Sequence, residues 1–244
     1  MAGPPMRIQR ALARAGISSR RAAEALVAAG RVRINGKVAI IGVSCDPDVD
    51  HITVDGQPVA APRAASWLVL NKPAGVITSR KDPEGRQTVF ALLGGRDVPG
   101  LTYVGRLDFL TEGVLLLTTD GDAAHRLTHP SREVERTYVA TVKGNAVAAA
   151  TEMRRGVQLE DGLARVLSVQ TRAAAQVRTW ELEITLGEGR HHEVRRLCAA
   201  CGLEVRRLVR IQYGPVRLGE LKSGMTRGLT ARERSLIDAL TASP

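Results

Sequence analysis

The sequence predicts an α+β protein, in which a small N-terminal module of two helices and short hairpins precedes a larger domain with a mixed, largely antiparallel β-sheet. Three observations favour this fold. Apolar residues recur at helical spacing within the first thirty residues, short alternating segments bounded by turns dominate after residue 67, and 44% of the 244 residues are hydrophobic. This length and composition are enough for a packed core and for one large or two modest domains.

The N-terminal module begins with a helix over residues 7–15, whose apolar residues share one face. Ser18 or Ser19 then caps a second helix, which ends at Gly30. Asn35-Gly36 joins two short strands, because this pair accepts the positive φ angles of a tight hairpin turn. The pattern therefore predicts two helices followed by a hairpin.

A second hairpin around Asp55-Gly56 completes this module, which we predict to span residues 6–60. Residues 61–66 include Pro62 and are predicted to be a linker. The larger domain is then expected to occupy residues 67–244.

Strands outnumber helices in the larger domain, and most of them are joined by short turns. An unbroken apolar run, Val114–Leu117, is typical of a buried strand. The other predicted strands cover residues 67–70, 134–142, 163–170, 179–186 and 208–211, and the predicted helices cover residues 191–201 and 231–240.

The formal net charge is +10, which favours binding to a polyanion such as nucleic acid. Residues 1–40 contain eight basic residues and one acidic residue, and residues 190–234 contain eleven basic and four acidic residues. The rest of the chain is slightly acidic. This distribution indicates two contact surfaces for one polyanion, although any single basic run is also typical of an ordinary solvated surface.

No run approaches the roughly 18 apolar residues of a membrane span, and the N-terminus lacks an apolar signal core, so we expect a cytoplasmic protein. The three cysteines fit reduced thiols. Cys198 and Cys201 have metal-site spacing, but they share the apolar face of a predicted helix, and no second cysteine pair completes a zinc site. We therefore predict packing cysteines and no metal.

The segment from Gly105 to Gly121 contains the strongest candidate functional residue. It places Asp108 on a short polar loop directly before the apolar run. A loop carboxylate anchored by a rigid strand suits a catalytic group, but on the residues alone a turn cap is the more ordinary interpretation.

This segment resembles the catalytic motif of the pseudouridine synthases, in particular the RsuA-like branch that modifies ribosomal RNA. Segments 71–73, 136–139, 188–197 and 208–211 resemble further motifs of that family in the same order. The resemblance covers nearly all of residues 67–228. It implies a pseudouridine synthase type of catalytic domain, with no metal and no cofactor.

The resemblance also implies roles for four residues. Asp108 is the nucleophile, Arg195 forms its ion pair, Tyr138 stacks on the flipped uracil and assists proton transfer, and Leu208 is a wall of the pocket. Without the resemblance, Tyr138 and Leu208 would be interpreted as core residues and Arg195 as a phosphate contact.

The N-terminal module resembles the alpha-L RNA-binding module of some ribosomal proteins and of bacterial tyrosyl-tRNA synthetases. Its basic side chains would contact phosphates, which positions an RNA without reading its sequence. Together with basic residues of the larger domain, the predicted RNA contacts are Arg7, Arg10, Arg14, Arg20, Arg21, Arg31, Arg33, Lys37, Lys72, Arg106, Arg190 and Arg196.

We therefore predict a monomeric enzyme that isomerises one uridine of ribosomal RNA to pseudouridine. Residues 129–136 and 156–162 resemble the RluB-like members, which act on large-subunit (23S) rRNA. Two alternatives stay open. One is a non-catalytic RNA-binding factor for ribosome assembly, and the other is a synthase acting on small-subunit rRNA or on tRNA.

Overall fold

The computed structural model of this chain describes residues 5–60, 65–175 and 178–242, and they divide into two compact units. The first unit contains the residues up to Trp67 together with Gly95–Thr102 and Leu117–Asp122. The second contains Leu68–Gly94, Tyr103–Leu116 and the residues from Ala123 onward. The predicted domain boundaries stay a prediction, and most of the predicted linker, residues 61–64, lies outside the described residues.

The first unit has the predicted order of two helices followed by hairpins. Ser19 caps the second helix, since its hydroxyl accepts a hydrogen bond from the Ala22 amide at 3.2 Å. Asn35 and Gly36 have φ angles of 50° and 80°, as the predicted tight turn requires. The elements are β1 (Met6–Arg7), α1 (Ile8–Arg14), α2 (Arg20–Ala28), β2 (Val32–Ile34), β3 (Lys37–Val38), β4 (Ser44–Cys45), β5 (Ile52–Val54) and β6 (Gln57–Pro58).

Two segments distant in sequence complete this first unit. Arg10 of α1 forms an ion pair with Asp122. Gly100 has a φ of 80°, and a Cβ atom there would lie 3.0 Å from the Ala13 carbonyl oxygen, so the close approach of the two chains requires glycine. Helix α1 therefore packs against residues that follow the predicted linker.

Nine strands form the sheet that dominates the second unit, and two more form a separate pair. The strands are β7 (Trp67–Lys72), β8 (Thr102–Val104), β9 (Thr111–Thr118), β10 (Arg136–Lys143), β11 (Val157–Leu159), β12 (Gly162–Ala164), β13 (Ser168–Ala173), β14 (Thr179–Leu186), β15 (Glu204–Tyr213), β16 (Val216–Arg217) and β17 (Thr226–Arg227). The main sheet has the order β13-β14-β10-β15-β9-β7-β17, with β8 beside β9 and β16 beside β15. Strand β10 is antiparallel to both neighbours, whereas β15 and β9 are parallel. The prediction of a mixed, largely antiparallel sheet is confirmed.

Four further α-helices follow among the described residues: α3 (Gly121–Thr128), α4 (Ala146–Arg155), α5 (Glu193–Ala200) and α6 (Ala231–Thr241). Sequence reasoning missed α3 and α4. The first begins at Asp120-Gly121, a pair that is typical of turns, and the second has mostly alanines on its apolar face. Its one local signal was Asn145, whose side chain accepts a hydrogen bond from the Ala148 amide at 3.1 Å.

The main core lies where α4 and α5 cover the sheet. Met153 of α4, Leu182 of β14 and Leu197 of α5 are each at most 1% exposed. One predicted strand, residues 163–170, is instead divided between β12 and β13. No helix within the described ranges is both long enough and apolar enough to cross a membrane.

Candidate active site

Asp108 lies on the loop between β8 and β9, and a buried lysine supports that loop. The Lys72 side chain is fully buried, and its ammonium group donates hydrogen bonds to four backbone carbonyls. The distances are 3.0 Å to Pro73, 3.1 Å to Asp108, 3.3 Å to Phe109 and 2.9 Å to Thr111. An ammonium has three hydrogens for these four acceptors, so at least one of the hydrogens is shared.

Further hydrogen bonds hold the same loop on both sides of Asp108. The Thr78 hydroxyl donates to the Leu107 carbonyl at 2.8 Å, and it accepts from the Leu107 amide at 3.3 Å. The Gly75 amide donates to the Phe109 carbonyl at 2.8 Å, and the Thr111 amide donates to the Asp108 carbonyl at 3.0 Å. Lys72, Gly75 and Thr78, which lie at or shortly after the end of β7, therefore hold the backbone around Asp108.

This placement corrects one prediction. Lys72 is wrong as an RNA contact, because a side chain buried beneath the Asp108 loop cannot reach a phosphate in solution. Burial lowers the pKa of Lys72 to about 8, while the nearby Asp108 and Glu112 carboxylates raise it and Arg210 lowers it further. The group is therefore a cation at neutral pH, and its role is to organise the loop.

A cavity of about 270 Å³ opens beside Asp108 within the second unit. Its lining includes Asp108, Tyr138 and Leu208, three of the four residues with predicted catalytic or pocket roles, and also Arg106 and Arg190. Tyr138 and Leu208 are neighbours on this face because β10 and β15 pair Tyr138 with Arg210 and Ala140 with Leu208. The Asp108 side chain is 37% exposed, so its carboxylate is accessible at the cavity.

Arg195 does not meet the Asp108 carboxylate in this structure. Arg195 lies on α5, and its guanidinium donates to the Leu110 carbonyl at 3.4 Å. The predicted ion pair is therefore not formed here. The next residue, Arg196, pairs with Asp161 at 2.8 Å and does not line the cavity either.

A histidine occupies the place expected for Arg195. His192 Nε2 lies 3.3 Å from Asp108 Oδ1, and the His192 side chain is 45% exposed. His192 directly precedes α5 and has a φ of 51°, in the left-handed region. The His191 ring stacks on it with a centroid distance of 3.8 Å, and both histidines line the cavity.

Two buried arginines make the inner wall of the cavity positive. Arg136 of β10 and Arg210 of β15 are 8% and 2% exposed. Their guanidinium carbons lie 5.2 Å and 4.9 Å from the centre of the Tyr213 ring. The Tyr213 hydroxyl donates to the Leu127 carbonyl at 2.7 Å, which fixes the ring between them. Arg210 belongs to the basic segment that was predicted to be a contact surface, but its burial excludes it from that surface.

Glu193 is a second carboxylate of the cavity lining, and it is only 4% exposed. Burial raises its pKa to about 7; a hydrogen bond from the Arg190 amide opposes this rise, and the nearby Glu188 carboxylate adds to it. Among the described residues, its Oε1 atom is buried and has no hydrogen-bond partner. The sequence predicted no role for Glu193.

The remaining predicted RNA contacts lie mostly on the surface of the first unit. Several of them already have intramolecular partners, such as Arg10 with Asp122 and Arg31 with Asp55. Arg190 is bound by Glu188 and Asp161. The exposed basic residues of the set are Arg7, Arg14, Arg20, Arg21, Arg31, Arg33, Lys37 and Arg106. Their RNA contacts stay predictions.

Cys198 of α5 and Cys201, which directly follows this helix, pack against the core, as predicted. Cys198 is fully buried, and Cys201 is partly buried against the same apolar cluster. Burial raises the thiol pKa to about 12 for Cys198 and to about 11 for Cys201, so both thiols are protonated at neutral pH.

Comparison with known proteins is consistent with this site. Residues 66–200 match the family model for RNA pseudouridylate synthases, and residues 6–40 match the model for the S4 domain. A crystal structure of a pseudouridylate synthase superposes with a TM-score of 0.62 and 29% identity, covering 95% of this chain and 99% of the other.

Several relatives extend over nearly the whole chain. An uncharacterized RNA pseudouridine synthase from Aquifex aeolicus is 40% identical over 93% of this chain and 92% of its own length. The ribosomal large subunit pseudouridine synthase B of Salmonella typhi is 42% identical over 91% of this chain and 77% of its own length. That of Haemophilus influenzae is 43% identical over 91% of this chain, which spans 63% of its length. The chain therefore belongs to the RNA pseudouridine synthases, with an S4 RNA-binding domain before its catalytic domain.

Proposed function

We propose that this enzyme isomerises one specific uridine of large-subunit (23S) ribosomal RNA to pseudouridine, with Asp108 as its nucleophile. One observation carries the proposal: the cavity gathers Asp108, Tyr138 and Leu208, residues from three separate motifs. The likeness to large-subunit pseudouridine synthases supports the choice of RNA.

The reaction breaks the bond between the ribose C1′ and the uracil N1, and it forms a bond between C1′ and the uracil C5. The proton on C5 is lost and N1 gains one, so atoms and electrons balance within the isomerisation. The Asp108 carboxylate acts at the ribose while uracil leaves, either by adding to C1′ or by removing the 2′ proton. A carboxylate that attacks a glycosidic centre has precedent among glycoside hydrolases.

The geometry of the cavity suits a flipped base. Tyr138 offers an aromatic face, and Leu208 offers an apolar surface. The two residues lie on adjacent strands and line the same cavity as Asp108. A base outside its helix is commonly held by stacking in such a pocket. The buried Arg136 and Arg210 make the inner wall positive, which favours uracil when it carries negative charge as a leaving group.

The S4 domain binds RNA, and its exposed basic side chains are placed to contact phosphates. Such contacts position an RNA without reading its sequence, so the choice of uridine rests on the shape of the RNA and on the cavity. Phe109 and Leu110, which are 45% and 59% exposed, lie directly beside Asp108. They present apolar surface to the nucleotides next to the target.

The test is pseudouridine mapping on protein-free 23S and small-subunit rRNA transcripts and on tRNA, treated with the wild-type enzyme or with Asp108→Asn. This substitution keeps the size of the side chain and removes its negative charge. A single new pseudouridine in 23S rRNA, absent with the variant, is the expected result.

Other outcomes would contradict separate parts of the proposal. A site in small-subunit rRNA or in tRNA instead would overturn the choice of RNA but leave the role of Asp108 in place. Full activity of Asp108→Asn would overturn the role of Asp108. Tight binding to 23S rRNA without any modification, also in partly assembled ribosomal particles, would favour a ribosome-assembly factor.

A further inference from the structure

His192 is the one imidazole in contact with the Asp108 carboxylate among the described residues. The contact joins Nε2 to Oδ1 at 3.3 Å, which lies within reach of a hydrogen bond. Arg195, in contrast, is bound to the Leu110 carbonyl and forms no ion pair with Asp108. Among the described residues, His192 is therefore placed to orient the carboxylate.

The backbone around His192 is specialised for this contact. A φ of 51° is uncommon for a residue other than glycine, and such conformations persist where the surroundings hold them. Stacking on His191, with an interplanar angle of 20°, restrains the plane of the ring. On the other side, Lys72 and Thr78 fix the loop of Asp108. Separate contacts thus restrain the His192 ring and the Asp108 loop.

We propose that His192 is a positioning residue for the reaction, which donates a hydrogen bond from Nε2 to Oδ1 of Asp108 and so directs the other carboxylate oxygen toward the ribose. This inference rests on the proposed role of Asp108. The same contact holds the carboxylate in place after the RNA has displaced water from the cavity. His192 itself forms no bond to the substrate.

Other ionisable groups lie around His192 and Asp108. Lys72 donates to the Asp108 carbonyl, and Arg195 donates to the Leu110 carbonyl. The ionisable groups that share the cavity lining with the pair are Arg106, Arg136, Tyr138, Arg190, His191, Glu193, Arg210 and Tyr213. Of all these, Glu193 and Lys72 have pKa values that burial moves toward neutral pH, to about 7 and about 8.

The experiment measures single-turnover pseudouridine formation, with enzyme in excess, on the RNA that the wild-type enzyme modifies. The main variant is His192→Asn, because asparagine tolerates a positive φ and is too short to replace the imidazole contact. His125→Asn makes the same replacement on the exposed surface of α3, outside the cavity lining, and is the matched control. Thermal melting and RNA affinity are recorded for each variant.

We expect His192→Asn to lower the single-turnover rate about 10- to 100-fold, with RNA affinity and melting temperature close to those of wild type. The control should keep the wild-type rate. His191→Asn, which removes the stacked ring but leaves the Nε2–Oδ1 contact, should lower the rate less than His192→Asn.

A second measurement does not depend on turnover. In protein labelled with ¹⁵N-histidine, the ring-nitrogen signals of His192 should shift in Asp108→Asn, since the acceptor for Nε2 has changed. Unchanged signals would overturn the contact in solution.

Two outcomes would also overturn the proposal: a wild-type rate in His192→Asn, or a lowered rate accompanied by a lowered melting temperature, which indicates a purely structural role. Asp108→Asn is run in parallel. If it is inactive while His192→Asn is fully active, only the role of His192 fails. If Asp108→Asn is active, the proposed function of Asp108 fails first.

Discussion

Lys72 and Glu193 are two buried ionisable groups near the Asp108 cavity, and their hydrogen-bond partners differ. Lys72, beneath the Asp108 loop, has four carbonyl acceptors for its ammonium. Glu193, at the start of α5, accepts one hydrogen bond from the Arg190 amide at 3.0 Å, and its other oxygen is buried without a partner. The Lys72 ammonium is therefore surrounded by carbonyl oxygens, whereas one oxygen of the Glu193 carboxylate lacks a donor.

This difference indicates what each group does. A buried charge is tolerated when enough polar groups surround it, and otherwise the group shifts its pKa toward the neutral form. Lys72 therefore acts as a cation, and its replacement leaves several carbonyls unsatisfied. Glu193 acts as a hydrogen-bond acceptor with a pKa of about 7, and a neutral amide can take its place.

The largest effect is expected for Lys72→Met. This change removes the ammonium group that donates to the Pro73, Asp108, Phe109 and Thr111 carbonyls, and leaving a buried acceptor without its donor costs about 1–3 kcal/mol. Displacement of the Asp108 loop by about 1 Å should lower the single-turnover rate roughly 100-fold. Urea unfolding and rate measurements at a temperature where the variant is folded check both effects.

The control for this prediction is Lys143→Met, which changes an exposed lysine at the end of β10. It should leave both quantities near their wild-type values. A Lys72→Met variant with wild-type stability and rate would show that the four hydrogen bonds do not organise the loop.

The pH dependence of Lys72 sharpens the same comparison. Because burial lowers its pKa to about 8, raising the pH through that value removes the positive charge and one of the three N–H donors. We expect the wild-type single-turnover rate to fall as the pH rises from 7 to 9. A rate that stays constant across this range, with the RNA intact, would contradict the assignment.

Glu193→Gln should instead stabilise the protein. The folded pKa of about 7 exceeds the ordinary value of about 4.3, so the unfolded chain ionises first and stability falls as the pH rises between these two values. Glutamine has no such penalty. The free energy of unfolding should therefore rise by on the order of 1–3 kcal/mol at pH 8, with no gain at pH 4.

Urea unfolding of wild type and Glu193→Gln at both pH values tests this prediction. Glu183→Gln replaces an exposed glutamate of β14 and is a useful reference for a simple loss of charge. Destabilisation by Glu193→Gln at pH 8 would mean that the carboxylate is needed in its charged form.

The smallest effect is expected at an exposed pair. Arg207 meets Glu112 through two hydrogen bonds of 2.8 Å each, but the Arg207 side chain is 61% exposed. Water and salt screen such a pair, so Arg207→Gln should change the free energy of unfolding by less than about 1 kcal/mol, and by less still in 0.5 M salt. A larger loss of stability would show that the Arg207–Glu112 pair contributes as a buried ion pair does.

Local patterns predicted the local structure well. The Asn35-Gly36 turn and the Ser19 cap depend on neighbouring residues, and both are confirmed. The predicted strand at residues 179–186 has the observed bounds, because its side chains alternate between a buried and a more exposed face. Helix α4 was missed because alanines give a weak apolar contrast, although they are buried here.

The sequence by itself determined the α+β class, the family and the motifs that contain Asp108, Tyr138 and Leu208, since these depend on residue order and short-range periodicity. Only the tertiary structure decided what surrounds Asp108. It placed Lys72 below a loop 36 residues away in sequence, and it brought His192, rather than Arg195, to the carboxylate. Such contacts depend on strand register and on one left-handed residue before α5, and neither leaves a periodic signal in the chain.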